Sequence, residues 1–163
     1  QLPPYFGYDR LLVLQTFLEN FPIEVPLAVE VRHESWFENH LHLNDFLECL
    51  NQTKTSAVIT DVAGRRDVLH MGLTSETTMI RFVGNGLHET DYSRIDEWID
   101  RLNLWFEKGL KEVYFFTHEP DNILAPELSV YLLEQLNTKS NVIVRGPKFF
   151  EEGKEPGEQM SLF

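Results

Sequence analysis

The chain has 163 residues with 42% hydrophobic and 25% charged residues, enough for one domain with a substantial core. It carries no run of eighteen apolar residues, which argues against a membrane span, and it reads as a cytoplasmic protein. Its net charge of −12 and its lack of a Lys/Arg stripe disfavour direct, tight binding to duplex nucleic acid.

The chain opens on Gln1-Leu2-Pro3-Pro4, which reads as the end of a strand followed by a turn, and so predicts further sequence upstream. Leu11, Leu14, Leu18 and Phe21 recur at helical spacing behind Asp9 as the candidate cap. Leu27 to Arg32 is a short β-rich run, and Leu43, Phe46, Leu47 and Leu50 mark a second helix. Cys49 lies in that helical pattern and reads as a plain helix thiol. As the lone cysteine it cannot form an internal disulfide.

Ala57 to Asp61 and Thr78 to Val83 are the next strand candidates, the latter stopped by Gly84 and Gly86. A long amphipathic helix presents Tyr92, Ile95, Ile99, Leu102 and Phe106, with Gly109 placed to end it. Val113 to Phe116 is a fourth strand, Leu128, Leu132 and Leu136 mark a helix, and Val142 to Val144 is a last strand candidate. Near-continuous apolar strands alternating with helices predict parallel βα units with both faces covered. Residues 1–147 form the domain, 148–158 an acidic flexible linker, and 159–163 a separate apolar peptide.

The strand ends are polar. Alternation puts Glu30 and Arg32 opposite Val29 and Val31, Asp61 ends the second strand, Arg81 interrupts the third, and His118 closes the fourth. In a parallel barrel, side chains at these ends build the active site. Glu30 and Asp61 are candidates for general base or metal ligand, and His33 and His118 for proton transfer. Arg32 and Arg81 are candidates for clamping an anion. Trp36, Asn85 and Tyr92 are further substrate-binding candidates, Trp36 as a stacking surface or as a lid. Gly84-Asn85-Gly86 invites a phosphate-cradle reading, though a tight turn explains two glycines better. A divalent metal is the candidate cofactor, with no tight ligand spacing to back it.

These stretches resemble the YecE-like family, a barrel family catalogued as a domain of unknown function. The match runs through Gln1-Leu2-Pro3-Pro4, Ala28 to Trp36 (with the specific Glu-x-Arg-His-x-Ser-Trp segment), Asp61, Ile80 to Gly84, and Asp91-Tyr92. The resemblance implies an α/β fold that is the C-terminal part of a TIM-type (β/α)8 barrel, with N-terminal strands missing. One departure is clear: the aromatic-Asn-Asn sequence of many members is here Phe116-Thr117-His118.

The tail, Gln159-Met160-Ser161-Leu162-Phe163, resembles the bacterial sliding-clamp-binding pentapeptide. That resemblance implies a clamp partner, indirect contact with DNA, and a place in DNA repair or replication, with a hydrolase as the candidate activity. The alternatives are a small-molecule enzyme using the barrel mouth, with the tail incidental, and a non-catalytic clamp-binding adaptor.

Overall fold

A computed structural model describes residues 1–147; the acidic linker and the peptide Gln159–Phe163 lie outside the described residues. Its framework is a parallel sheet of four strands in sequential order: β1 (Ala28–Val29), β2 (Ser56–Val62), β3 (Thr77–Val83) and β4 (Glu112–His118). Helices α1 (Leu11–Asn20), α2 (His40–Gln52), α3 (Glu89–Glu107) and α4 (Ala125–Lys139) alternate with the strands except between β2 and β3, which are joined by a loop holding only the 3-10 turn Arg66–Val68. Each crossover brings the chain back to start a new strand in the same direction, as parallel pairing requires.

Local chemistry sets the helix limits. Asn39 caps α2 by accepting from the Leu41 N–H at 2.9 Å. His88 and Asp91 form a reciprocal capping box at the start of α3. Just past the end of α3, Gly109 takes φ +106°, a conformation costly for any residue with a Cβ. Asp9, expected to cap the first helix, lies instead inside a 3-10 turn (Tyr8–Arg10) and makes no capping bond; the chain enters α1 directly from that turn.

Two apolar clusters hold the layers together. The first sets Ile59, Ile80 and Phe82 of the sheet against Ile95, Trp98, Ile99 and Leu102 of α3 and Leu128, Leu132 and Leu136 of α4. The second joins Leu14 and Leu18 of α1, Val29, Trp36, and Phe46, Cys49 and Leu50 of α2. Each large side chain buried this way contributes about 1.5–3 kcal/mol. Burial, and secondarily the Glu19 charge, pushes the Cys49 thiol above its usual range, as expected for a packing residue.

Two strand expectations are corrected. Val142 to Val144 forms no strand: Val142 and Val144 lie half-buried, Ile143 is 94% exposed, and β4 stays a sheet edge among the described residues. The run from Leu27 to Arg32 contributes only Ala28–Val29 to the ladder, although the Leu2 N–H donates to the Glu30 carbonyl on the far side. No helix is long and apolar enough to cross a membrane among the described residues.

Candidate functional site

Register decides which strand-end residues meet. Thr60 pairs with Arg81 and Arg81 with Phe116, so these three share one face; Asp61, one residue on, pairs with Phe82 and faces α3. The two faces carry different chemistry.

On the face away from α3, Glu30 is 4% exposed and is the centre of a polar knot. Its Oε1 accepts from Arg81 Nε at 2.9 Å and from the Thr60 hydroxyl at 2.9 Å, and stands 2.8 Å from Arg81 Nη2 in an ion pair. Its Oε2 accepts from the Gln1 amide at 2.9 Å. Burial works against the charged carboxylate, but the bonds from Arg81, Gln1 and Thr60 and the Arg81 charge outweigh it and hold Glu30 below its ordinary value. Glu30 is therefore an ionised group that orients Arg81, and Oε2, with one partner, keeps a lone pair free. Arg32 lies beyond the β1 ladder; it is exposed and forms no ion pair among the described residues. His118 ends β4 beside Val83, half-buried, on the face of Tyr114 and Phe116. Those two rings are 46% and 48% exposed.

On the α3 side, Asp61 is 1% exposed. It accepts from Arg66 at 2.5 Å and from the Trp98 indole at 2.8 Å, and Arg94 Nε stands 3.8 Å away. The expected meeting of Glu30 and Asp61 is thus corrected: adjacent parity sends the two carboxylates through opposite faces. Asp61 and Arg94 form part of the packing of α3, with the Arg94 guanidinium 4.1 Å over the Phe82 ring.

The loop after β3 resolves the cradle question. Four successive backbone N–H groups, Asn85 to His88, already bond carboxylates of this chain. Asn85 and His88 donate to Asp91 at 2.8 and 3.0 Å, and Gly86 and Leu87 to Glu119 at 2.7 and 3.3 Å. A Cβ on Gly84 would sit 2.2 Å from the Glu119 carboxylate, so the glycine makes room for that internal anion. The loop is a filled turn, and the Asn85 side chain is exposed above it.

Three other expectations are relocated. Trp36 is 0% exposed, packs edge-on against Tyr8 and beside Phe46, and donates its indole N–H to the Phe6 carbonyl at 2.8 Å. It offers no free face to a ligand and is a core anchor, because the helical turn after His33 rolls it inward. Tyr92 packs edge-on against Tyr131 of α4, with centroids 4.9 Å apart, on the helix side of the sheet. His33 is fixed by Ser35: its Nδ1 accepts from the Ser35 N–H at 3.2 Å and lies 2.8 Å from the Ser35 hydroxyl. With Nδ1 accepting, the neutral ring carries its proton on Nε2.

Sequence reasoning missed Thr60, Gln1, Glu119 and Arg94. Thr60 was within reach, since parallel register places it beside Glu30 and Arg81; the other three depend on loop paths and helix rotation that strand periodicity does not encode. Among the described residues, no three His, Cys, Asp or Glu side chains gather so as to hold a metal ion.

A family model described as "Protein of unknown function DUF72" matches residues 1–152. The UPF0759 protein YecE of Escherichia coli strain K12 is 31% identical over 154 residues, covering 83% of this chain and 56% of the relative; that of Escherichia coli O157:H7 matches equally. The chain thus spans a little over half the length of the curated relatives it matches. Among solved structures, a DUF72 family protein of Enterococcus faecalis V583 superposes with TM-score 0.65 at 20% identity, covering 84% of this chain and 59% of the other. One from Thermotoga maritima MSB8 gives TM-score 0.54 at 22% identity, covering 85% and 55%. With a four-stranded parallel α/β sheet, a family match across most of its length and a relative at 31% identity, this chain belongs to the DUF72 family.

Proposed function

We propose that the sheet is part of a TIM-type barrel, that its open face binds an anionic substrate between Arg81 and Arg32, and that the tail tethers the protein to the bacterial sliding clamp for work in DNA repair or replication. The observation that carries the site is the clamping of Arg81 by the ionised Glu30 on the side of the sheet away from α3. Fixing a guanidinium in advance removes part of the ordering cost of binding a phosphate or carboxylate. The chemistry is hydrolytic in this reading. Glu30 Oε2 takes a proton from a water as the water oxygen bonds to the substrate's phosphoryl or acyl centre; the bond to the leaving oxygen breaks, that oxygen takes up the proton from Glu30, and Arg81 and Arg32 stabilise the charge that develops.

The tether rests on Gln159-Met160-Ser161-Leu162-Phe163, whose two large apolar side chains and glutamine amide suit a small groove. A clamp partner also suits a chain of net charge −12, because the clamp supplies the DNA contact and raises the local concentration. The deciding experiment measures binding to purified sliding clamp by the intact chain and by a Leu162→Ala, Phe163→Ala variant. The expected result is saturable binding near 1 μM that the double substitution abolishes. No binding, or binding indifferent to the substitutions, overturns the tether. The site is tested separately by titrating inorganic phosphate into wild type and Arg81→Met: a loss of affinity of tenfold or more is expected, and an unchanged affinity removes Arg81 from the site.

A further inference from the structure

The loop between β3 and α3 holds a conformation that part of its own backbone disfavours. Gly86 and Leu87 both stand in the left-handed region, at φ +71° and +58°. Glycine takes that region freely, but in Leu87 the Cβ crowds the following carbonyl oxygen, so the position is strained. Such a conformation persists only where its surroundings over-determine it. Two contacts supply the constraint. The Leu87 side chain packs against the apolar cluster of α3 and α4. The Glu119 carboxylate, 4% exposed, accepts the Gly86 N–H at 2.7 Å on one oxygen and the Leu87 N–H at 3.3 Å on the other. Successive N–H groups in such a turn converge into a concavity suited to an anion, and here the anion is the chain's own. Its neighbours set it in place. Glu119 directly follows β4, and Pro120 after it disfavours the helical region at Glu119. The Gly84 N–H donates to the His118 carbonyl at 2.8 Å and ties the foot of the loop to the end of β4. Gly84 also leaves the room that the carboxylate needs, since a Cβ there would overlap it.

We propose that Glu119 is the latch of this loop, and that the loop is a strap with two positions. Latched, it is the left-handed turn described above. Released, Leu87 leaves the left-handed region and the Gly86 and Leu87 N–H groups turn to water. The hinges are the Gly84–His118 bond on one side and the capping box of α3 on the other. Asn85 and His88 are held separately by Asp91, at 2.8 and 3.0 Å, so release is centred on Gly86 and Leu87. The latch spans two elements that the chain does not join directly, because Glu119 comes from the end of β4 and the strap leads into α3. A change at the end of β4 is thereby felt at the entry to α3. The inference concerns how the loop is held, goes beyond the anion-binding reading and does not depend on it.

The test is amide hydrogen exchange, followed residue by residue by NMR on the full chain. In wild type the Gly86 and Leu87 amides are expected to exchange roughly tenfold or more slower than in an unstructured chain, although Gly86 is exposed. Glu119→Gln removes the charge and one acceptor oxygen, and is expected to speed both amides by about tenfold or more. Gly84→Ala reaches the same contact from the other side. Its methyl pushes the carboxylate off the loop, and the same two amides are expected to speed up with Glu119 still present. In both variants the Ile59 and Ile99 amides, set in the core, are expected to change far less. Unprotected Gly86 and Leu87 amides in wild type overturn the latch. Unchanged exchange in either variant also overturns it, because the turn would then hold itself. Acceleration that the core amides share in equal proportion marks Glu119 as a residue of general stability and overturns it too. Should Glu119→Gln fail to fold, Gly84→Ala decides, since it keeps every charge in the chain.

Discussion

The two faces of one sheet, compared residue by residue, teach what strand-end charge is for in this fold. Toward α3, Asp61 and Arg94 are almost wholly buried and hold each other, Arg66 and Trp98. Away from α3, Glu30 is equally buried but holds Arg81, whose side chain keeps 26% of its surface in solvent beside two exposed rings. The first arrangement spends its polar groups on itself. The second leaves a cation partly in solvent. Parity along the strands is the whole difference, since Thr60 and Asp61 are neighbours in sequence and serve opposite faces.

The largest effect that separates the faces is expected at Asp61. Asp61→Ala leaves the Trp98 indole N–H without its acceptor and leaves Arg94 with only the Val83 carbonyl and the Asp91 carboxylate; its Nε and Nη1 have no hydrogen-bond partner among the described residues, and burial already depresses its basicity. Breaking a buried pair from one side costs about 3–5 kcal/mol, readable as a fall in the urea midpoint. A loss under about 1 kcal/mol would show that Asp61 is as dispensable to the fold as a surface carboxylate, and would return it to the list of site residues.

Glu30→Gln is expected to cost less stability, roughly 1–3 kcal/mol, because Arg81 can turn toward water while Arg94 cannot. Its larger effect falls on function: with the carboxylate gone, Arg81 loses its fixed orientation, and phosphate affinity drops several-fold. If Glu30→Gln destabilises the chain as much as Asp61→Ala and leaves phosphate affinity untouched, both faces are structural and the contrast fails.

Much of this was legible in the sequence, and the limits are physical. All four strand cores and all four helices follow from apolar periodicity, because burial on one face or both leaves a period that survives in the residue order. The pairing of Glu30 with Arg81 follows from alternation, once parallel register is assumed. The fate of Trp36 does not: a 3-10 turn after His33 rotates it into the core, and turn geometry leaves no period. Nor does the filling of the β3–α3 loop by Glu119, which arrives from the end of a different strand thirty-odd residues later. Val142 to Val144 has strand composition without a ladder, an instance of β propensity yielding to context.

His70 offers a pH test confined to the packed interior. Its Nε2–H lies 3.3 Å from the Val58 carbonyl, and its Nδ1 accepts from the Gly72 N–H, also at 3.3 Å. Burial lowers its folded-state value below the ordinary 6.5, only partly offset by the Val58 bond. The unfolded chain therefore binds the proton at higher pH than the folded one. The stabilisation is complete above about pH 6.5 and is lost as the pH falls from there toward the folded value. His70→Gln should flatten that part of the stability profile. A profile unchanged by the substitution would mean that His70 is protonated without penalty and that its surroundings are open to water.

The smallest effect is expected at Asn85, and it is informative because it is small. The loop after β3 uses the Asn85 backbone N–H, bonded to Asp91, while the side chain stands in solvent. Asn85→Ala keeps that N–H and is expected to change stability by less than about 0.5 kcal/mol. The phosphate affinity tested at Arg81 should also be unchanged, because the four loop donors are occupied by Asp91 and Glu119. A tenfold loss of phosphate affinity in Asn85→Ala would show that the loop leans over Arg81 and contributes its side chain. The boundary between spent and unspent polar groups would then run through the β3–α3 loop and not between the two faces of the sheet.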